Sequence, residues 1–270
     1  MPSPFQLAEK YAADERFKAL SFTGSAAVGW RLKSLAGRKK VILELGGNAA
    51  CIVDAGADLE LAAVRTAIGG FAHAGQVCIS VQRLLVHQDI YAEFKEIFLR
   101  TVKEKVVVGD PSREETVVGP FIDADAGAKV RQWVDEALAG GARLVTGGPG
   151  EGNLMPPTVL EKVTPDMKVW QEEIFGPVVV LAPCADFTQA LTLANDSVYG
   201  LQAGVFTRNL AHAWQAFETL EVGGVIINDV PAFRVDNMPY GGVKASGFGR
   251  EGLRYAIEEL SELRLLALQV

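Results

Sequence analysis

Short β-branched apolar runs alternate with longer stretches of helical periodicity along most of this chain. Positions 18–22 read as a strand, 26–35 as a helix closed by Gly37, and 41–45 as a second strand running into Gly46 and Gly47. A strand is expected at 48–53. A helix over 58–74 then leads through Gly75 to Cys78, and a strand at 84–86 follows. Beyond it the pattern predicts helices at 89–105, 125–139, 186–195 and 210–220, with strands at 143–145, 178–181, 202–206 and 225–227. A helix at 253–260 precedes a tail in which Leu265, Leu266, Ala267 and Leu268 read as a strand. Runs of β-branched residues separated by helices argue for an α/β fold with a mainly parallel sheet. A terminal apolar strand is an edge that needs cover, which points to a homo-oligomer.

Composition narrows the partners. The 270 residues allow one large or two modest domains, and 49% hydrophobic with 22% charged residues is a globular profile. A net charge of −7 with scattered basic residues disfavours a nucleic-acid surface, leaving small molecules or protein subunits as partners. Cysteines at 51, 78 and 184 form neither a disulfide framework nor a metal-ligand pattern, which fits a reducing, cytoplasmic setting. Cys51 and Cys184 read as core residues. No secretory signal is visible, and the apolar stretch at 173–186 is too short for a membrane span and is broken by Gly176, Pro177 and Pro183.

Candidate chemistry lies at the junctions. Cys78 falls on a connection between a helix and a strand, where reactive groups concentrate, although a lone cysteine is by default a buried small hydrophobe. Glu44 interrupts an apolar strand just before a double glycine, and an acid placed there either faces solvent or carries a raised pKa and a role. The Thr23-Gly24-Ser25 turn opens a helix with free N–H groups, which suits an anion such as pyrophosphate and equally suits an ordinary cap. Glu172 and Glu173 stand with Phe175 before another strand, and a glycine-rich coil spans 239–247.

Assembled in order, five segments resemble the aldehyde dehydrogenase superfamily. They are Phe22-Thr23-Gly24-Ser25, Leu43-Glu44-Leu45-Gly46-Gly47, Gly75-Gln76-Val77-Cys78, Glu173-Ile174-Phe175-Gly176-Pro177, and Pro239-Tyr240-Gly241-Gly242-Val243-Lys244 with Ser246-Gly247. The wording at 75–80 and 233–240 is similar to the branch acting on lactaldehyde and succinate-semialdehyde-type substrates. The resemblance implies an NAD- or NADP-dependent oxidation of an aldehyde to a carboxylic acid. Cys78 would be the nucleophile, forming a thiohemiacetal and then a thioester, and Glu44 the general base for its hydrolysis. Relatives that pass the acyl group to coenzyme A tend to lack an acid at the position of Glu44. The cofactor would be met by Gly24, Ser25, Leu45, Gly46, Glu173 and Phe175. The loop at 229–238 would line the aldehyde's approach, with Phe233 and Arg234 as substrate contacts. Arg234 could pair with an acidic tail, or simply be solvated.

The resemblance also implies a division of the chain: 1–46 as the last part of a Rossmann-like NAD(P)-binding domain, 47–245 as the catalytic domain, and 246–270 as a terminal helix and intersubunit strand. Full-length members carry roughly two hundred further residues ahead of the Phe-Thr-Gly-Ser segment, on the usual domain scale. Those supply the adenosine-ribose contacts and an oxyanion-hole asparagine, so this chain is expected to be the catalytic half, weak or inactive alone, within a dimer or tetramer. Two other readings stand beside this one: a truncated, non-catalytic interaction module of the same fold, and a cofactor-independent thiol esterase.

Overall fold

A computed structural model describes residues 4–270. The chain opens with α1 (Pro4–Ala13), β1 (Ala19–Thr23), α2 (Ala26–Leu35) and β2 (Lys40–Glu44). There follow β3 (Ala49–Val53), α3 (Leu59–Phe71), a 3-10 turn (Ala72–Gly75), β4 (Val81–His87), α4 (Tyr91–Lys105), β5 (Val107–Val108), β6 (Thr116–Val118) and α5 (Ala124–Ala139). The next elements are β7 (Arg143–Thr146), β8 (Thr158–Glu161), α6 (Lys168–Gln171), β9 (Val178–Cys184), α7 (Phe187–Asn195), β10 (Tyr199–Gly200), β11 (Gln202–Phe206), α8 (Leu210–Thr219) and β12 (Gly224–Ile227). Short strands β13 (Val243–Lys244) and β14 (Gly247–Phe248) precede α9 (Leu253–Leu260).

Seven strands form the main sheet in the order β12-β11-β3-β4-β9-β8-β7, with every neighbouring pair parallel except β7 against β8. Strand alternation sorts the core onto its two faces. Cys51, Val53, Leu84, Val86, Val179 and Leu181 pack toward α3 and α4, beside Phe94 and Phe98. Ile52, Leu85, Val178 and Val180 pack toward α5, α7 and α8, beside Val134, Leu191 and Ala216. Because both faces are covered, these strands read as continuous apolar runs rather than as alternating ones. Cys51 and Cys184 lie in this core, as the sequence suggested. Side chains of Asp58, Asp123, Asp186 and Asn209 accept backbone N–H bonds at the starts of α3, α5, α7 and α8, which fixes where those helices begin.

A second, three-stranded sheet carries β1 parallel to β2, with β14 antiparallel on the other side of β2. Leu45 and Leu43 bury against α2 beneath it, together with Ala36 and Val41. Two expectations change. The helix foreseen at 58–74 ends at Phe71, because His73 and Ala74 take left-handed backbone angles (φ of 54° and 56°) and turn the chain toward Cys78. Among the described residues the tail at 261–270 forms no ladder with any strand, and Leu263, Leu265, Leu266 and Leu268 are exposed. A strand exists only where another strand pairs its backbone groups, and none does so here among the described residues; the Lys40 ammonium donates to the Ser261 carbonyl at 2.7 Å instead.

Candidate active site

The candidate residues meet where the two sheets abut. Glu44 is the last residue of β2, Gly46 and Gly47 lead into β3, Cys78 precedes β4, and Glu173 and Phe175 precede β9. The site therefore lies at the C-terminal end of the small sheet's strands but at the N-terminal ends of the large sheet's strands. The usual ligand position in open α/β sheets holds for the first of these only.

The double glycine knits the site together. A β-carbon at Gly46 would overlap the Glu173 carboxylate, and one at Gly47 would overlap the backbone carbonyl of Cys78. The backbone contact at Gly47 admits only glycine, while a side chain at Gly46 would push the Glu173 carboxylate from its place. The Gly47 N–H also donates to Glu173 Oε1 at 2.9 Å. One turn of chain thus touches the acid on one side and the nucleophile loop on the other.

A buried amide network holds the partners in place. Gln82 donates to the Glu172 carbonyl at 2.7 Å and accepts from the Ile174 N–H at 3.0 Å, gripping the backbone on both sides of Glu173. Arg83, 1% exposed, donates to the Asn48 side chain and carbonyl and to the carbonyls of Leu193 and Ala194 at the end of α7. Those carbonyls carry the negative end of the helix dipole, so the guanidinium is matched without a carboxylate partner. Burial pulls its pKa down to about 10. Asn48 Nδ2 donates to the Trp170 carbonyl at 2.6 Å, closing the link between the glycine turn and the Glu173 loop.

Electrostatics separate the two reactive groups. Glu44 is 6% exposed, and neither of its carboxylate oxygens has a hydrogen-bond partner among the described residues. Burial, reinforced by Glu251, pushes its pKa up to about 7, against the opposing pull of Arg234 and Arg250. A base with that pKa is half-ionised near neutral pH and retains proton affinity. Cys78 is half-buried, and its pKa is raised, first by burial and then by the charges of Glu173 and Glu44, with the Tyr240 hydroxyl working the other way. The groups around the sulfur thus favour its thiol form. Glu173 is likewise raised, chiefly by burial, with the Gly47 N–H and Lys129 opposing.

The remaining candidates are placed as follows. The Gly24 N–H donates to the Glu44 carbonyl at 3.0 Å, so the β1 turn lies beside the end of β2. Ser25 is exposed at the start of α2 and makes no side-chain cap bond, leaving its hydroxyl and the helix N–H groups free for an anion. Leu45 points into the core against Gly29, so what it offers a ligand is backbone. Phe175 holds a left-handed backbone (φ 55°) and a half-exposed ring. Arg234 is neither free nor simply solvated: it pairs with Glu251 at 3.0 Å and lies over the Tyr240 ring, 4.1 Å from its centroid. Phe233 is half-exposed, and its carbonyl accepts from Gln202 at 3.3 Å. A cavity of about 260 Å³ beside the nucleophile loop is lined by Val77, Ile79, Ser80, Val230 and Ala232, among others.

Sequence reasoning quoted Tyr240 within a motif but gave it no role, although its hydroxyl is the side-chain group 3.5 Å from Cys78 Sγ. It missed Gln82 and Arg83 altogether. Two adjacent polar residues inside the apolar run 81–86 were the available signal, since buried polar groups must be paired. Among the described residues no cluster of three or more His, Cys, Asp or Glu side chains is arranged to hold a metal, and no helix is long and apolar enough to cross a membrane.

Comparison with known proteins places the fold. The profile of the Aldehyde dehydrogenase family matches residues 5–266. A 3-sulfolactaldehyde dehydrogenase from Priestia aryabhattai is 46% identical over 265 residues, covering 98% of this chain and 55% of the relative. The crystal structure of aldehyde dehydrogenase 21 from Physcomitrella patens, in complex with the reaction product succinate, superimposes with a TM-score of 0.90 at 48% identity over 96% of this chain and 54% of that one. The NADP complex of glyceraldehyde-3-phosphate dehydrogenase from Methanocaldococcus jannaschii gives 0.92 at 40% identity over 96% of this chain and 56% of that one. The chain spans about half the length of the curated relatives it matches. It belongs to the aldehyde dehydrogenase family.

Proposed function

We propose that this chain is the catalytic half of an enzyme that oxidises an aldehyde to a carboxylic acid with NAD or NADP. The observation that carries the reading is the convergence of Cys78, Glu44 and Glu173 on the Gly46-Gly47 turn. Residues fit for the cofactor are the exposed Ser25 and the Gly24 turn at the start of α2, toward a pyrophosphate, and Glu173, toward a ribose. Phe175 would line the nicotinamide side, with the backbone of Leu45 and Gly46 beside it. When bound, the cofactor accepts a hydride from the substrate carbon.

The chain's own part is acyl chemistry. The Cys78 sulfur gives up its proton to water and bonds to the aldehyde carbon as the carbonyl electrons move onto oxygen, which takes up a proton to give a thiohemiacetal; after oxidation the same carbon is held as a thioester. Glu44 takes a proton from the attacking water, the carbon–sulfur bond breaks, and the sulfur leaves as the acid is released. Among the described residues Glu44 has no competing hydrogen-bond donor, which leaves its oxygens available for that water.

The substrate we infer is a small aldehyde with an anionic tail. Arg234 lies one aromatic ring away from the sulfur, and the cavity of about 260 Å³ beside the nucleophile loop is lined by Val77, Ile79 and Ala232 together with the cationic Arg65. The relatives named for 3-sulfolactaldehyde and crystallised with succinate support an anionic tail. Intersubunit pairing of the exposed tail at 261–270 completes the proposal. Calorimetric titration of the chain with NAD and NADP, followed by cofactor reduction with a panel of aldehydes, tests it. Reduction that depends on Cys78 is expected; equal reduction by Cys78→Ala would overturn the reading.

A further inference from the structure

We propose that Tyr240 is a catalytic residue that acts on Cys78 itself, its hydroxyl donating a hydrogen bond to the sulfur once the thiol has lost its proton. The inference rests on the reading of Cys78 as the nucleophile. Tyr240 is 4% exposed, and its Oη lies 3.5 Å from Cys78 Sγ. Its backbone is fastened by two hydrogen bonds exchanged with Glu251, at 3.1 and 2.6 Å. The guanidinium of Arg234 covers the ring face at 4.1 Å and is itself tied to Glu251 at 3.0 Å. A cation on the face of a phenol draws electron density from the ring and strengthens its hydroxyl as a donor.

The charges around the sulfur make such a donor necessary. Glu44 from the end of β2 and Glu173 from the loop before β9 both face Cys78, and both disfavour a thiolate, as does burial. Glu251 and Arg250 act on Glu44 rather than on the sulfur. Among the side chains that act on the thiol, the Tyr240 hydroxyl is the one that favours its ionised form, with a smaller contribution from the Cys78 backbone. Burial, with the charges of Cys78 and Glu44, raises the Tyr240 pKa well above the ordinary phenol value, so the hydroxyl keeps its proton while Cys78 titrates. The proton balance is simple: the S–H proton passes to solvent water, the Tyr240 O–H bond stays intact, and no electron is transferred. A β-carbon at Gly241 would meet Glu44 Oε1 at 3.1 Å, so the same short segment places the donor at the nucleophile and the chain beside the base.

The test is the pH profile of Cys78 alkylation by iodoacetamide in the full chain, quantified peptide by peptide so that buried Cys51 and Cys184 serve as internal references. Tyr240→Phe keeps the ring beneath Arg234 and removes only the hydroxyl. It is expected to move the alkylation midpoint up by about one pH unit, which lowers the rate about tenfold at any pH below the midpoint. In a Glu44→Gln background, where Arg234 can no longer act through the Glu44 charge, Arg234→Gln should shift the midpoint in the same direction by less. Coincident midpoints in the parent and Tyr240→Phe, with Cys78 still outpacing the other two cysteines, would overturn the role of Tyr240 and leave Cys78 as the nucleophile. If Cys78 in the parent reacts no faster than Cys51 and Cys184, the nucleophile reading fails and the role of Tyr240 falls with it. Should Tyr240→Phe lose its fold, an unshifted midpoint on adding Arg234→Gln to Glu44→Gln overturns the proposal.

Discussion

Gly47 packs so tightly against Cys78 that a β-carbon at position 47 would overlap the cysteine's carbonyl oxygen. The contact is between two backbones, so no side chain can rotate to relieve it. Gly47→Ala is therefore expected to displace the loop at 76–80 and to cost about 1–3 kcal/mol of stability through overpacking. Urea unfolding measures the loss. Slower alkylation of Cys78 alongside it would confirm that the nucleophile, rather than a distant element, has moved.

Glu44 makes stability depend on pH. Its proton is held in the folded chain up to about pH 7 and is released near 4.5 when the carboxyl is exposed. The folded state therefore binds more protons between those values. The contribution of this group is fully present below about 4.5 and is lost as pH rises through about 7. The loss is on the order of 3 kcal/mol. Glu44→Gln should remove this dependence, so that the parent loses ground to the variant between pH 5 and about pH 8 in denaturant titrations.

Glu161 works in the opposite sense. Its burial would raise its pKa, but bonds from Lys95, Tyr91 and Arg143 outweigh that and bring it down to about 2. Its contribution is present above about 4.5 and is lost as pH falls toward about 2. Glu161→Gln should cost about 2 kcal/mol at neutral pH, because Lys95 and Arg143 lose their anion. The gap from the parent should close in acid, which thermal unfolding at pH 7 and pH 3 would show.

Much of this arrangement was legible in the sequence. Helix 26–35 matches α2, and strand 202–206 matches β11. Cys78 and Glu44 stood out because each breaks its surroundings: one a thiol on a connection, the other an acid in an apolar strand. What was not legible depended on partners distant in sequence. Tyr240 meets Cys78 across 162 positions, and Gln82 grips a loop 90 positions away, relationships that no local pattern encodes. Strand β8 escaped notice because its four residues, Thr-Val-Leu-Glu, carry only two apolar side chains and follow two prolines. The tail at 261–270 shows the converse, an apolar pattern with no strand to pair it among the described residues.

Arg234 is expected to sort substrates. Arg234→Ala also alters the surroundings of Glu44 and Tyr240, so overall rates should fall for every aldehyde. The informative quantity is the ratio of kcat/KM for anionic against neutral aldehydes of equal length. That ratio should drop about tenfold or more when the charge-assisted contact is removed. An unchanged ratio would exclude Arg234 as the contact for an acidic tail.

Acylation of Cys78 tests the central claim most directly and needs no cofactor. The chain is incubated with p-nitrophenyl acetate and quenched, and its peptides are analysed by mass spectrometry. The account predicts an acetyl group on Cys78 that turns over in the parent and accumulates in Glu44→Gln, where deacylation should slow by about a hundredfold or more. An acetyl group found elsewhere, or one that leaves Cys78 at the same rate with and without the Glu44 carboxylate, would contradict the assignment of nucleophile and base.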